Sequence, residues 1–167
     1  MASMRAERKS TLMAVLMRLG LGIALGLAPS QRERAAATER IVTDWHTGLA
    51  LYGFDPVAYF TDATANVGKP DFEYTYRGVV WRFRNPGNRA AFIDHPDVYM
   101  PVFGGYDPMA LGRGAPTPGN PQLWVIVGER LFLFHDMGSR TAFATDPGQS
   151  IANAQANWSA VMKQLAP

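Results

Sequence analysis

Two stretches of the chain alternate apolar and polar residues at period two. Phe72, Tyr74 and Tyr76 alternate with Glu73, Thr75 and Arg77; beyond Gly78, Val79, Trp81 and Phe83 alternate with Arg82 and Arg84. That period sends successive side chains to opposite faces, so it predicts two half-buried strands turning at Arg77-Gly78. Gln122–Val127 and Arg130–Phe134 predict a second hairpin across Gly128-Glu129, with glycine where a two-residue turn needs it. Its strands are apolar on both faces, which predicts a more central position. A short helix follows each hairpin, one from Asn85-Pro86 to about Asp94, stopped by Pro96, the other within Asp136–Thr145. Asp146-Pro147 then opens the longest helix, over 147–166. Its Ile151, Ala154, Trp158, Val161, Met162 and Leu165 share one stripe at helical spacing. No counterpart is expected after the first hairpin unit, and the helix is read as closing the core. Residues 41–51 read as an extended lead-in with a turn at 43–48, and 62–70 and 112–121 as loops.

The order of these elements repeats, and so do residues. Gly53-Phe54-Asp55-Pro56-Val57-Ala58 returns 52 positions later as Gly105-Tyr106-Asp107-Pro108-Met109-Ala110. Arg89-Ala90-Ala91-Phe92 with Pro96 returns as Arg140-Thr141-Ala142-Phe143 with Pro147, at an offset of 51. Two matches at nearly one offset argue for a duplicated unit. The predicted fold class is therefore α+β: two hairpin-plus-helix units, over about 50–100 and 103–150, in pseudo-duplicate arrangement within a domain of 38–167, with a longer C-terminal helix. In each unit Asp-Pro reads as a helix start at about 56–60 and 108 onward, because Asp accepts from free first-turn amides and Pro is preset for the first helical position. The alternative makes Asp55 and Asp107 a pair of ligands or acid–base groups. Capping accounts for Gly, Asp and Pro together.

Charge separates the N-terminal segment from the body. Residues 1–37 carry six basic side chains against two acidic; the remainder carries ten against twelve. The body thus offers no electrostatic footprint for nucleic acid. The basic start runs into Leu12–Met17 and Leu19–Ala28, broken only by Arg18, short of the roughly 20 apolar residues a simple span requires. Residues 1–37 read as a signal peptide, giving a periplasmic or exported protein, with an uncleaved inner-membrane anchor as the alternative. Membrane contact is expected only through that segment. With no cysteine, disulfides, thiolate metal sites and a cysteine nucleophile are excluded.

Asp55-Pro56-Val57, the hairpin ending Trp81-Arg82-Phe83, and Arg89, Phe92, Pro96 and Tyr99 together resemble the YHS-domain family. The run Leu51–Phe60 is similar to its exported, stand-alone bacterial members. The resemblance covers about 52–100 and, more loosely, the second unit to about 150. It implies the fold and names neither a role nor a ligand. The family's metal-associated cysteines would fall at Ala58, Arg84 and Asn88, and at Ala110, His135 and Ser139 in the second unit; soft thiolate binding of copper or zinc is not inherited.

The remaining candidates are few. His46, His95 and His135 form no helical pair of imidazoles. His135 and Asp136, with Asp107, are the candidates for a cation, against a plain helix cap. Tyr52 and Phe54 are related by the repeat to Phe103 and Tyr106. Where the units meet, these residues with Asp55 and Asp107 are candidates for a small-ligand cleft, against core packing. Arg82 and Arg84 are an anion site or a solvated face. No nucleophile elbow, P-loop or dinucleotide fingerprint is present. The expectation is a non-catalytic exported binding or accessory module, with a small ligand or a membrane-protein partner and no cofactor named by the sequence; the alternative is a periplasmic metal-handling protein using His and Asp.

Overall fold

The computed structural model describes residues 40–165; the expected signal or anchor segment, 1–37, lies outside them. The fold is α+β. Among the described residues two separate antiparallel hairpins, β1 (Lys69–Tyr76) with β2 (Val79–Phe83) and β3 (Asn120–Val127) with β4 (Arg130–Phe134), are set among six α-helices. The helices are α1 (Ala58–Thr61), α2 (Pro86–Asp94), α3 (Pro96–Tyr99), α4 (Pro108–Leu111), α5 (Met137–Thr145) and α6 (Pro147–Met162). Among the described residues no helix is long and apolar enough to cross a membrane.

Both hairpins turn through two residues with positive φ, Arg77-Gly78 (51° and 80°) and Gly128-Glu129 (56° and 60°). That is the turn whose twist matches flanking strands. Both carry the same irregularity. Lys69 pairs with Phe83 and Glu73 with Arg82, while Asn120 pairs with Phe134 and Trp124 with Leu133. The extra residues bulge from the first strand and include Pro70 and Pro121. A bulge is where a strand accommodates a residue with no N–H to donate. The strands therefore start earlier than the loops predicted at 62–70 and 112–121 allow.

The apolar side chains form two cores, and the second hairpin is the wall between them. Leu131 and Leu133, with Trp124 and Ile126, face a first core containing Leu51, Val57, Tyr59, Trp81, Phe83 and Phe92. Phe132 and Phe134, with Leu123, Val125 and Val127, face a second core containing Phe103, Tyr106, Leu111 and Phe143. Period two makes this possible: a strand apolar at every position serves two cores at once. Hairpin β1–β2 has only one core to serve. Its Glu73 and Arg82, at the outer positions, are joined by a 2.6 Å ion pair. The C-terminal helix closes the other end, burying Ala154 and Val161 against the second core, with Leu165 just beyond it.

Local geometry recurs at the offsets seen in the sequence. Phe92 packs on Phe83 and Trp81 at ring separations of 5.2 and 4.9 Å; Phe143 packs on Phe134 and Phe132 at 5.0 and 5.2 Å. Asn85 caps α2 by accepting from the Asn88 amide, and Asp136 caps α5 by accepting from the Ser139 amide, both at 2.8 Å. Left-handed backbone at Leu51 and Tyr52 (51° and 56°) matches that at Phe103 and Gly104 (56° and 64°), in short 3-10 turns. As expected, no helix of the length of α6 follows the first hairpin unit among the described residues. Pro96 opens α3 as Pro147 opens α6, but α3 stops at Tyr99, ahead of Met100-Pro101, where a residue preceding proline disfavours helix.

Two glycines lock the hairpins to the turns. A Cβ on Gly119 would lie 2.6 Å from the Gly105 carbonyl oxygen, and one on Gly68 would lie 2.5 Å from the Arg82 backbone. Neither neighbour is a flexible side-chain end. Gly119→Ala is expected to destabilise by about 3 kcal/mol, read as a lowered urea midpoint. Gly148→Ala, at the start of α6, where a Cβ would make only an ordinary contact 3.6 Å from Asp146 Oδ1, should be neutral or stabilising.

Candidate functional site

The two Asp-Pro steps build the frame. Asp55 is fully buried. Its Oδ1 accepts from the amides of Val57 (2.8 Å) and Ala58 (3.4 Å), and its Oδ2 accepts from the Arg84 amide (2.8 Å) and the Asn88 side-chain Nδ2 (2.7 Å). Helix α1 accordingly begins at Ala58, two residues past the predicted start, with Asp55 holding the turn before it. Asp107 is also fully buried. Its Oδ1 accepts from the Met109 amide (2.8 Å) and caps α4; its Oδ2 accepts from the His135 amide (2.9 Å). Each carboxylate thus ties the start of a helical turn to the residue just past the second strand of its hairpin. The positions that the resemblance associates with cysteine in the first unit, 58, 84 and 88, converge on Asp55 and supply amide hydrogens.

His135 and Asp136 do not form a cation site with Asp107. The Asp136 carboxylate is the α5 cap, and the Asp107 oxygens hold amides. His135 Nδ1 lies 3.1 Å from the Pro118 carbonyl, which can only accept, so Nδ1 carries the hydrogen. Among the described residues no group of three His, Cys, Asp or Glu side chains is placed to hold a metal.

The four repeat-related aromatics do not converge on a single cleft. Tyr106 is buried against Trp158 at a ring separation of 6.2 Å. Tyr52 and Phe54 line a shallow cavity of about 560 Å³ with residues 118–122, which lead into and begin β3, and His135. Phe103 lies on a larger and more enclosed cavity of about 830 Å³. Asp55 and Asp107 line neither.

That larger cavity sits on the seam between the hairpin units. The tip of the first hairpin (Arg77, Gly78, Val79), the first residue of β4 (Arg130), the segment joining the units (Met100–Gly104), the start of the lead-in (Arg40, Ile41) and one face of α6 (Trp158, Met162) all line it. Its walls are apolar and aromatic: Val79, Trp81, Phe103 and Trp158. Phe103 and Trp158 meet edge to face at 5.6 Å. Three exposed guanidinium groups, Arg40, Arg77 and Arg130, share the lining with one carboxylate, Asp97, which lies 3.2 Å from Arg77. Its volume falls in the range of small-molecule sites. Sequence reasoning missed this rim. Arg82 and Arg84, the arginines it singled out, are engaged by Glu73 and Asp62.

Tyr59 holds the first unit to the second. Its hydroxyl donates to the Pro121 carbonyl at 2.9 Å and its ring meets Trp124 edge-on at 5.3 Å. Burial first, and then the Asp55 charge, push this hydroxyl well above the ordinary tyrosine range. Below the usual value of 10.0 it is neutral folded or unfolded; above it, the unfolded chain loses the proton and the folded chain keeps it. Stability should therefore fall as pH rises from about 9 to about 11, and fall less in Tyr59→Phe, by urea midpoints at each pH. At neutral pH the same variant should lose about 1 kcal/mol.

Comparison of the chain with protein-family models, with curated proteins and with solved structures returned no match.

Proposed function

We propose that this chain is a non-catalytic, exported binding module of YHS-like type, built from two copies of one ancestral unit that meet around a small-ligand cavity. The observation that carries the binding reading is the seam cavity of about 830 Å³, with apolar walls and a cationic rim. The copy reading is supported by hydrogen bonds, ring packing and left-handed turns that recur at offsets of 51 and 52. The YHS-like assignment rests on the Asp-Pro-Val and hairpin residues named above. Export rests on the basic-then-apolar order of residues 1–37. A binding rather than catalytic role is supported by the two buried carboxylates, which hold amide hydrogens and stay out of both cavities.

Native mass spectrometry of the protein purified from a periplasmic fraction tests this reading. The expected result is a retained small molecule that is lost in Val79→Trp, a substitution that fills the cavity from a half-buried wall position. Spectra showing only the ligand-free protein, for the parent chain as well as the variant, would contradict it.

A further inference from the structure

Resting on the reading of the seam cavity as a binding site, we propose that its ligand is an amphiphilic anion, with one carboxylate or phosphate head on an apolar body. Two features of the cavity demand different parts of one molecule. The rim gathers three guanidinium groups against one carboxylate, on a protein body whose acidic side chains outnumber its basic ones. Local excess of one sign against the background charge focuses oppositely charged ligands. Only Arg77 has its charge answered, by Asp97. Among the described residues the Arg40 and Arg130 guanidinium groups make no ion pair or side-chain hydrogen bond.

Arginine favours planar oxyanions. Its fork matches the two oxygens of a carboxylate or phosphate, and it is less strongly hydrated than an ammonium group. A bare anion would leave the half-buried Val79, Trp158 and Met162 of the lining facing water. A neutral apolar molecule would leave two unanswered cations at the rim. A headgroup on an apolar body satisfies both, with the head at Arg40 and Arg130 and the body along Phe103 and Trp158. Met100 and Met162, also in the lining, are unbranched and adaptable, which suits a body that varies in shape.

The head could belong to a free acid, a soluble phosphomonoester or a membrane lipid, and the test separates these. Calorimetric titration of the full chain would compare octanoate, octyl phosphate and 1-octanol, which share one tail. Sedimentation would compare vesicles of phosphatidylglycerol with vesicles of phosphatidylcholine. The expected result is that at least one octyl anion binds about tenfold or more tightly than 1-octanol. Arg130→Gln and Arg40→Gln should each weaken the anion about three- to tenfold and leave the alcohol unchanged. Arg113→Gln, an exposed charge off the rim, should change neither. Selective sedimentation with phosphatidylglycerol, lost in the same two variants, would assign the head to a lipid; anion binding without it would assign the head to a soluble acid or phosphomonoester. Equal affinities for anion and alcohol would overturn the anionic assignment while leaving the cavity as a binding site. If no octyl compound binds, the assignment is overturned, and the native mass spectrum reports separately on whether the cavity binds anything.

Discussion

A chain cut after Asp146 is expected to lose cooperative folding altogether. Helix α6 and the residue Leu165 beyond it pack on the second core. Removing them uncovers Phe103, Tyr106 and Leu111, which are now buried. It also frees the carbonyls of Leu111 and Gly112, which now accept from Asn157 Nδ2 at 3.1 and 3.0 Å. Each large apolar side chain returned to water costs about 1.5–3 kcal/mol. Four or five of them exhaust the roughly 5–15 kcal/mol that holds a domain of this size together. The first unit escapes this need because hairpin β3–β4 covers it, with Tyr59 anchored on Pro121 and Trp124. In an array each unit is covered by the next, and the last requires a special cap. Thermal melting by circular dichroism should show no cooperative transition for the truncated chain. A transition within a few degrees of the full chain would refute the capping role. Trp158→Ala is the milder form of the same experiment and should cost about 3 kcal/mol, since Trp158 packs on both Phe103 and Tyr106.

Asp55→Ala should be the most damaging single substitution of a polar side chain. It removes a buried acceptor from three backbone amides and one side-chain amide at once. Buried donors left without partners cost about 1–3 kcal/mol apiece, and water reaching the gap recovers part of that, so a loss of about 4 kcal/mol is expected. Asp107→Ala, with two such bonds, should cost about half as much. Urea unfolding of both variants measures the pair of values. Equal and small losses, under about 1 kcal/mol each, would show that the carboxylates are not the ties described above.

The hairpins were legible because alternation is a direct image of strand geometry. The bounds of β4 coincide with the predicted run 130–134, and β2 ends at Phe83, one residue short of the predicted alternation through Arg84. The central place of the second hairpin followed from apolar residues on both its faces, and the structure supplies the reason, a core on each side. Asp107 was legible as a helix cap, whereas Asp55 holds the turn ahead of α1 rather than capping it, and the second oxygen of each carboxylate was not legible. Its partners, Arg84 and His135, contribute backbone amides, which any residue carries. The left-handed turns at Leu51-Tyr52 and Phe103 had no signal, because leucine and the aromatics seldom adopt positive φ and nothing in their chemistry announces it. The seam cavity was missed for a similar reason. Arg40, Arg77 and Arg130 lie 37 and 53 positions apart, in a lead-in, a turn and a strand end, and only folding brings them to one rim. The repeated residues pointed to a meeting of two hairpin units but not to which side of each aromatic would face it.

The most direct test of the seam as the ligand site uses the four tryptophans as separate reporters. Trp81 and Trp158 line the large cavity, Trp124 packs against Tyr59 behind it, and Trp45 is exposed on the lead-in turn. In the fluorine NMR spectrum of protein carrying 5-fluorotryptophan, octanoate is expected to move the resonances of Trp81 and Trp158 and leave those of Trp45 and Trp124 in place. Movement confined to Trp45 or Trp124, or no movement at saturating ligand, would contradict the account.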